Sequence, residues 1–307
     1  MRVGIVVVGG QRETLEQAIA GIVAAEEEGF DTAWRAHVMG LDCLTVLALA
    51  GQRTSRIEIG SAVVPTYPRH PHALAQQAAT VHAATGGRFA LGIGRSHKMV
   101  IENMFGLEYA SGVTHMREYV TILRKLLDDG SCSFEGRQYR VSAPLDFREG
   151  KGMPILIGAL MPKMLDLCGR LCEGTLTWMC GPRYIEGTIV PLLRAASQNE
   201  GRAMPRVVAS LPVCVTDDVE AARKNGARQL GIYGHLPVYR SCLDAEGAAG
   251  PVDIALIGSE KEVEEGVRRI ASAGASDFYG SIFSDGVAGS DCARRSRALL
   301  RSLCGRV

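Results

Sequence analysis

Charge of one sign is the first thing this sequence lacks. Its 307 residues carry 34 Lys plus Arg against 33 Asp plus Glu. That balance leaves no basic footprint for nucleic acid and no acidic tail. Paired cysteines at metal spacing are missing as well. Nine cysteines are scattered along the chain, and none forms a C-x-x-C. Cys168 and Cys172 stand four apart on an expected helix, with no second Cys/His pair to complete four ligands. They read as reduced, buried thiols, which fits a reducing, cytoplasmic compartment, and no metal site is expected. No hydrophobic run is long enough to span a bilayer. The first apolar run, residues 3–8, leads into Gly9-Gly10-Gln11-Arg12, not into a small-residue cleavage site. The P-loop and the G-x-S-x-G elbow are absent. So is the G-x-G-x-x-G that a doubly wound dinucleotide-binding sheet carries after its first strand; Gly92-Ile93-Gly94 has His97 in the third glycine's place. No carboxylate pair suits glycoside chemistry, and no Asp/His cluster suits a catalytic metal.

What is present is alternation. Strand-type runs are expected at 3–8, 30–34, 57–64, 88–93, 154–159, 174–178, 206–215 and 277–283. Amphipathic helical patterns follow each of them. Thr14-Leu15-Glu16-Gln17 and Ser259-Glu260-Lys261-Glu262 fit capping boxes. Pro162 and Pro182 sit where first helical turns accept proline. Residues 132–141 read as a small hairpin turning at Glu135-Gly136. Eight strand–helix units in a chain of this length point to parallel strands joined by crossovers, an α/β fold of the (β/α)8 TIM-barrel type. No repeat or linker divides residues 1–307, so one domain is expected. Residues 233–252 break the alternation and are expected to form an insertion over the active-site face.

In such barrels chemistry sits at the C-terminal ends of the strands. Those ends are mostly apolar here: Met39, Leu160, Met161, Trp178 and Met179. A cleft poor in acids, with a few histidines and much apolar surface, suits a flat organic cofactor that carries the hard electronics. Two turns, Gly158-Ala159-Leu160-Met161-Pro162 and Cys180-Gly181-Pro182-Arg183, lead into helices whose free N–H groups can hold a phosphate, with Arg183 adding charge. His97 and His37 lie at strand ends, and an imidazole titrates in the range where it can give or take a proton. His70 stands where it can shape a loop. His72, His82, His115 and His235 read as surface, helix or insertion residues.

At this point the residues resemble a known family, the luciferase-like flavin- and F420-dependent oxidoreductases, and within it the actinobacterial F420-dependent branch. The resemblance is carried by Gly29-Phe30-Asp31-Thr32-Ala33-Trp34, Gly60-Ser61-Ala62-Val63-Val64-Pro65-Thr66, Arg69-His70-Pro71, and above all Arg88-Phe89-Ala90-Leu91-Gly92-Ile93-Gly94-Arg95-Ser96-His97. Met116-Arg117-Glu118-Tyr119 and Pro154-Ile155-Leu156-Ile157-Gly158-Ala159 extend it. It implies a luciferase-like barrel, usually a homodimer, acting on a small-molecule substrate with a C=C, C=O or C=N bond. The implied cofactor is coenzyme F420, with FMN and a monooxygenase reaction as the alternative, and a non-catalytic flavin- or deazaflavin-binding barrel as a further one. It also implies a non-proline cis peptide at Ser61-Ala62, pressed against the ring, with Val63, Val64 and Thr66 bordering it. Gly158, Ala159, Cys180 and Gly181 would cradle the ribityl phosphate. The chain departs from the family pattern in two places. Relatives often carry Asp-His after the second strand, where this sequence reads Arg35-Ala36-His37. Some carry Glu after the fourth, where it has His97.

Overall fold

The computed structural model describes residues 1–7, 12–109, 112–147 and 149–307. Its strands are β1 (Arg2–Val6), β2 (Thr32–Arg35), β3 (Glu58–Ser61), β4 (Val64–Pro65), β5 (Phe89–Gly94), β6 (Ser131–Glu135), β7 (Arg140–Pro144), β8 (Ile155–Ile157), β9 (Gly174–Leu176), β10 (Arg206–Val215), β11 (Leu256–Gly258) and β12 (Asp277–Ile282). Eight of them, β1, β2, β3, β5, β8, β9, β10 and β12, pair in parallel and close on themselves through β12 and β1. The expected (β/α)8 barrel is therefore present. Two-residue periodicity splits its side chains into two cores. Ile5, Ala33, Ile59, Phe89, Ile155, Val207 and Phe278 belong to the main core that the helices cover. Trp34, Ala90, Leu156, Leu176, Val208 and Tyr279 form a second core made of strand residues alone.

Trp34 is the largest piece of that interior. Its indole N–H donates to Thr32 Oγ1 at 2.9 Å, and its ring stacks on Tyr279 at 5.5 Å. Gly60 faces it in register, and a Cβ there would come within 2.3 Å of the Trp34 ring. At the N-terminal end of the barrel, Arg206 bridges Glu58 and Asp277, each at 2.8 Å, and Arg2 reaches Glu58 at 3.1 Å. These bridges join β1, β3, β10 and β12, and the carboxylates hold the Arg206 guanidinium above its ordinary range despite its burial.

The capping signals read from the sequence are realised. Thr14 and Ser259 close capping boxes on helices Leu15–Glu27 and Glu260–Ser272. β6 and β7 form the expected antiparallel hairpin. The insertion consists of a 3-10 turn Gly231–His235, a helix Pro237–Glu246 and a second 3-10 turn Pro251–Asp253. It ends in β11, which the sequence reading missed and which pairs in parallel with Val213–Val215 of β10. Three residues are too few for a period-two pattern to stand out. Val8, Gly9, Gly10 and Gln11, part of the first expected strand and its end, lie outside the described residues.

Candidate active site

The third strand does not run through 57–64 as expected. β3 stops at Ser61, β4 resumes at Val64 against Ile93 of β5, and the peptide between Ala62 and Val63 is cis. The expected position, Ser61-Ala62, is thus one residue early. The reason lies in the ladder. Ser61 still pairs with Arg35, and its hydroxyl both donates to Gly92 O at 2.8 Å and accepts from Gly92 N–H at 2.9 Å. Ser61 therefore belongs to the barrel wall, and its side chain is spent there. The chain departs from the ladder only after it. Gly92 has to be glycine for this, because a Cβ would lie 1.9 Å from Ser61 O. Ala62 and Val63 are half-buried and, with Val6, rest on the interior core. They form an apolar floor at the barrel mouth.

Behind that floor Val64 and Thr66 are fully buried. The Thr66 hydroxyl lies 2.8 Å from His115 Nε2. His115, read from the sequence as a surface or helix residue, is on helix Gly112–Arg124 but is 2% exposed. It stacks on Tyr67 at 4.1 Å and 9°, and the hydroxyl of Tyr139, just before β7, lies 3.4 Å from Nδ1. Burial, helped by the Arg95 guanidinium, pushes its pKa down to about 4. The signal missed was its place on the apolar stripe of the helix next to Met116 and Tyr119.

The two candidate proton donors sit in different settings. His37 is half-buried. Its Nδ1 accepts from Cys43 N–H at 3.3 Å, its Nε2 is 3.5 Å from Arg69, and Asp42 lies 3.7 Å away. Burial and Arg69 depress its pKa against the pull of Asp42, so the ring is held neutral between two N–H donors. His97 follows β5 and is also half-buried. Its imidazole has a ring neighbour in Tyr239 at 6.0 Å but, among the described residues, no hydrogen-bond partner, and burial lowers its pKa. The preceding residue, Ser96, has φ 60°, as does its counterpart at the other turn, Met179, at 58°. Non-glycine residues rarely adopt that backbone, and such outliers gather at functional sites. Met179 is fully buried and so does not line the mouth, while Met39 is 66% exposed.

The two helix-leading turns also differ. After β8, Gly158 is exposed and Met161 caps helix Pro162–Leu171 without any side-chain hydrogen bond. A Cβ on Gly158 would meet only Ile93 O and the Val63 methyls, at 3.9 Å or more. The open turn therefore adjoins the apolar floor. Ala159 and Leu160 are buried beside it, and Leu160 O accepts from the Tyr184 hydroxyl at 2.8 Å. After β9, Thr177 Oγ1 is buried without a hydrogen-bond partner among the described residues, and Trp178 is half-buried. The next turn does not match the expectation of an open anion cradle. The carboxylate of Glu246, from the insertion, accepts from Tyr184 N–H at 2.7 Å and lies 2.6 Å from where a Cβ on Gly181 would be. Arg183 is exposed and donates to Glu246 O at 3.2 Å. Cys180 is buried beside Cys242 and Tyr184. The insertion has placed its own carboxylate on this helix start. Nothing in the local sequence of 180–183 signals a partner so far along the chain.

The model of the luciferase-like monooxygenase family matches residues 1–277. The chain belongs to that family. A Mycobacterium tuberculosis protein provisionally named a coenzyme F420-dependent oxidoreductase is 28% identical over 281 residues, covering 86% of this chain and 79% of its own. Among solved structures, the coenzyme F420-dependent tetrahydromethanopterin reductase of Methanopyrus kandleri superposes with a TM-score of 0.79 at 21% identity, covering 100% of this chain and 99% of that one. An F420-dependent secondary alcohol dehydrogenase bound to an F420–acetone adduct gives 0.79 at 17%, covering 100% and 98%. The last two show the luciferase-like fold. Among the described residues no helix is long and apolar enough to cross a membrane.

Proposed function

We propose that this luciferase-like barrel is an F420-dependent oxidoreductase acting on a small organic substrate. One observation carries the reading: the exposed Gly158 begins a turn into a helix without a side-chain cap, and a Cβ on it would come within about 4 Å of the Val63 methyls on the apolar floor. A ring-and-phosphate cofactor needs that adjacency, a flat apolar rest for its ring and free N–H groups for its tail. The mycobacterial relative, similar over most of the chain, supports F420 as that cofactor.

Bound in its reduced form, F420 supplies a hydride from its deazaflavin ring. The chain does the rest. Val6, Ala62 and Val63 support the ring's face, with Ser61, Val64 and Thr66 fixing them from behind. In the Gly158–Ala159–Leu160–Met161 turn, the N–H groups of Gly158 and Ala159 are taken by Ile93 O and Thr175 Oγ1, so those of Leu160 and Met161 hold the phosphate while Gly158 and Ala159 shape the cradle around it. Arg183 adds positive charge at the rim, whereas Glu246 keeps Cys180 and Gly181 out of the phosphate set. Trp178 walls the mouth and helps exclude water. His97, neutral and with no hydrogen bond in the described structure, gives a proton from a ring nitrogen to the reduced substrate; His37 is the second candidate.

The test is a titration of the purified protein with F420 and with FMN, followed by hydride-transfer assays. F420 binds and FMN does not, and His97→Ala lowers turnover about a hundredfold or more while leaving F420 affinity unchanged. Tight FMN binding without F420 binding overturns the cofactor. Equal turnover in His97→Ala and wild type overturns the proton donor.

A further inference from the structure

The insertion brings two tyrosines to the site. Tyr233 packs its ring against Trp178 at 5.7 Å and 75°. Tyr239 meets Tyr233 at 5.2 Å and 90° and His97 at 6.0 Å and 57°. The four rings form a continuous arc that joins the end of β9 to the end of β5 by way of the insertion. Their contacts are edge-on or tilted, and all four are half-buried. Outside the arc both kinds of pair occur, Tyr119 and Tyr139 for instance meeting edge-on at 78°. Trp34 and Tyr279 stack with 29° between planes and are buried, and Tyr67 and His115 stack at 9°. An edge-to-face contact covers a face of only one of its two rings, and with all four rings half-buried the arc keeps ring surface uncovered for a third partner.

We propose that this arc is the specificity wall of the site and that it selects a flat, conjugated molecule without negative charge. The uncovered faces favour a planar π-system over a saturated one of equal size. Among the described residues no ion pair involves any of the four, so the wall supplies no countercharge for an anion. Burial keeps the His97 ring neutral and both tyrosine hydroxyls protonated. The wall thus offers a ligand only neutral hydrogen-bond groups, fit for a carbonyl-type oxygen and not for a carboxylate. What happens to the ligand afterwards rests on the oxidoreductase reading; its binding does not.

The chain provides its own reporter, because it holds only two tryptophans. Trp34 is sealed in the barrel at 1% exposure, so a ligand on the wall alters the emission of Trp178. The full chain is titrated, alone and with F420 present, with four probes. These are benzylideneacetone (planar and neutral), its fully saturated cyclohexyl counterpart, cinnamate (planar and anionic) and 3-phenylpropionate (non-planar and anionic). Equilibrium dialysis of each probe and of F420 runs in parallel. Benzylideneacetone binds about tenfold more tightly than the other three and changes the emission. Trp178→Phe removes the emission change while dialysis still detects binding. Tyr239→Ala weakens binding about tenfold, and Tyr239→Phe stays within about twofold, as the loss or retention of one ring contact requires. Should Tyr239→Ala fail to melt like the wild type, Tyr233→Ala carries the same expectation. Equal affinity for the four probes, or no loss in folded Tyr239→Ala and Tyr233→Ala, overturns the proposal. If F420 binds and benzylideneacetone does not, the wall falls and the cofactor reading stands. If benzylideneacetone binds through Tyr239 and F420 does not bind, the reverse holds.

Discussion

Lowering the pH should destabilise this protein through one buried imidazole before its carboxylates begin to titrate. His115 is held at about 4 in the folded chain against an ordinary 6.5, chiefly by burial and then by the Arg95 guanidinium, with Glu118 opposing. The unfolded chain takes up a proton near 6.5, and the folded chain refuses it until about 4. The contribution is therefore complete above pH 6.5 and is lost as pH falls through the interval to 4. Its full size is about 3 kcal/mol, and about 2 kcal/mol of that has gone by pH 5. Because His37, His70, His82 and His97 are also depressed, the wild-type profile alone does not isolate it. His115→Gln does, since an amide can keep the bond to Thr66 and does not titrate. Urea unfolding at pH 7 should find the variant weaker by about 1 kcal/mol from lost stacking on Tyr67. By pH 5 the order reverses, because the wild type falls further by about 2 kcal/mol. Parallel profiles for the two proteins between pH 7 and pH 5 would refute the argument.

Three further outcomes are expected. Gly158→Val should melt as the wild type does, since a Cβ there meets nothing nearer than 3.9 Å, yet lose F420 affinity about tenfold or more by narrowing the turn beside Val63, as dialysis would show. Glu246→Ala should cost about 1 kcal/mol through the unanswered Tyr184 N–H; added phosphate should then raise its melting temperature more than that of the wild type, because an anion can take the vacated helix start. Gly60→Ala should lose about 1–3 kcal/mol in urea unfolding by driving a methyl group into the Trp34 ring.

The barrel was legible because its signals are local and repeated. Val-, Ile- and Gly-rich runs, two capping boxes and prolines at helix starts all agree on one alternation. The pieces that escaped depend on distant partners. The strand break falls after Ser61 because Gly92, far along the sequence, holds the Ser61 hydroxyl. The turn at Cys180–Arg183 is filled because Glu246 reaches back to it. His115 is interior because Tyr67 and Tyr139 enclose it. The tyrosines of the wall sit in the one segment whose pattern broke the alternation. Such a break marks an insertion without revealing which side chains it turns inward. Of the expected site residues, Ala62, Val63, Gly158, His97 and Trp178 are at the mouth with surface exposed, while Ser61, Val64, Thr66 and Cys180 lie beneath it.

The short strand β11 decides how the aromatic wall can behave. It is zipped onto the far end of β10 at Leu256, Ile257 and Gly258, so the segment carrying Tyr233 and Tyr239 is stitched to the frame at its downstream edge. It acts as a door jamb more than a door. A new preference at this entrance is reached most cheaply by exchanging rings at positions 233 and 239, with the frame left as it stands.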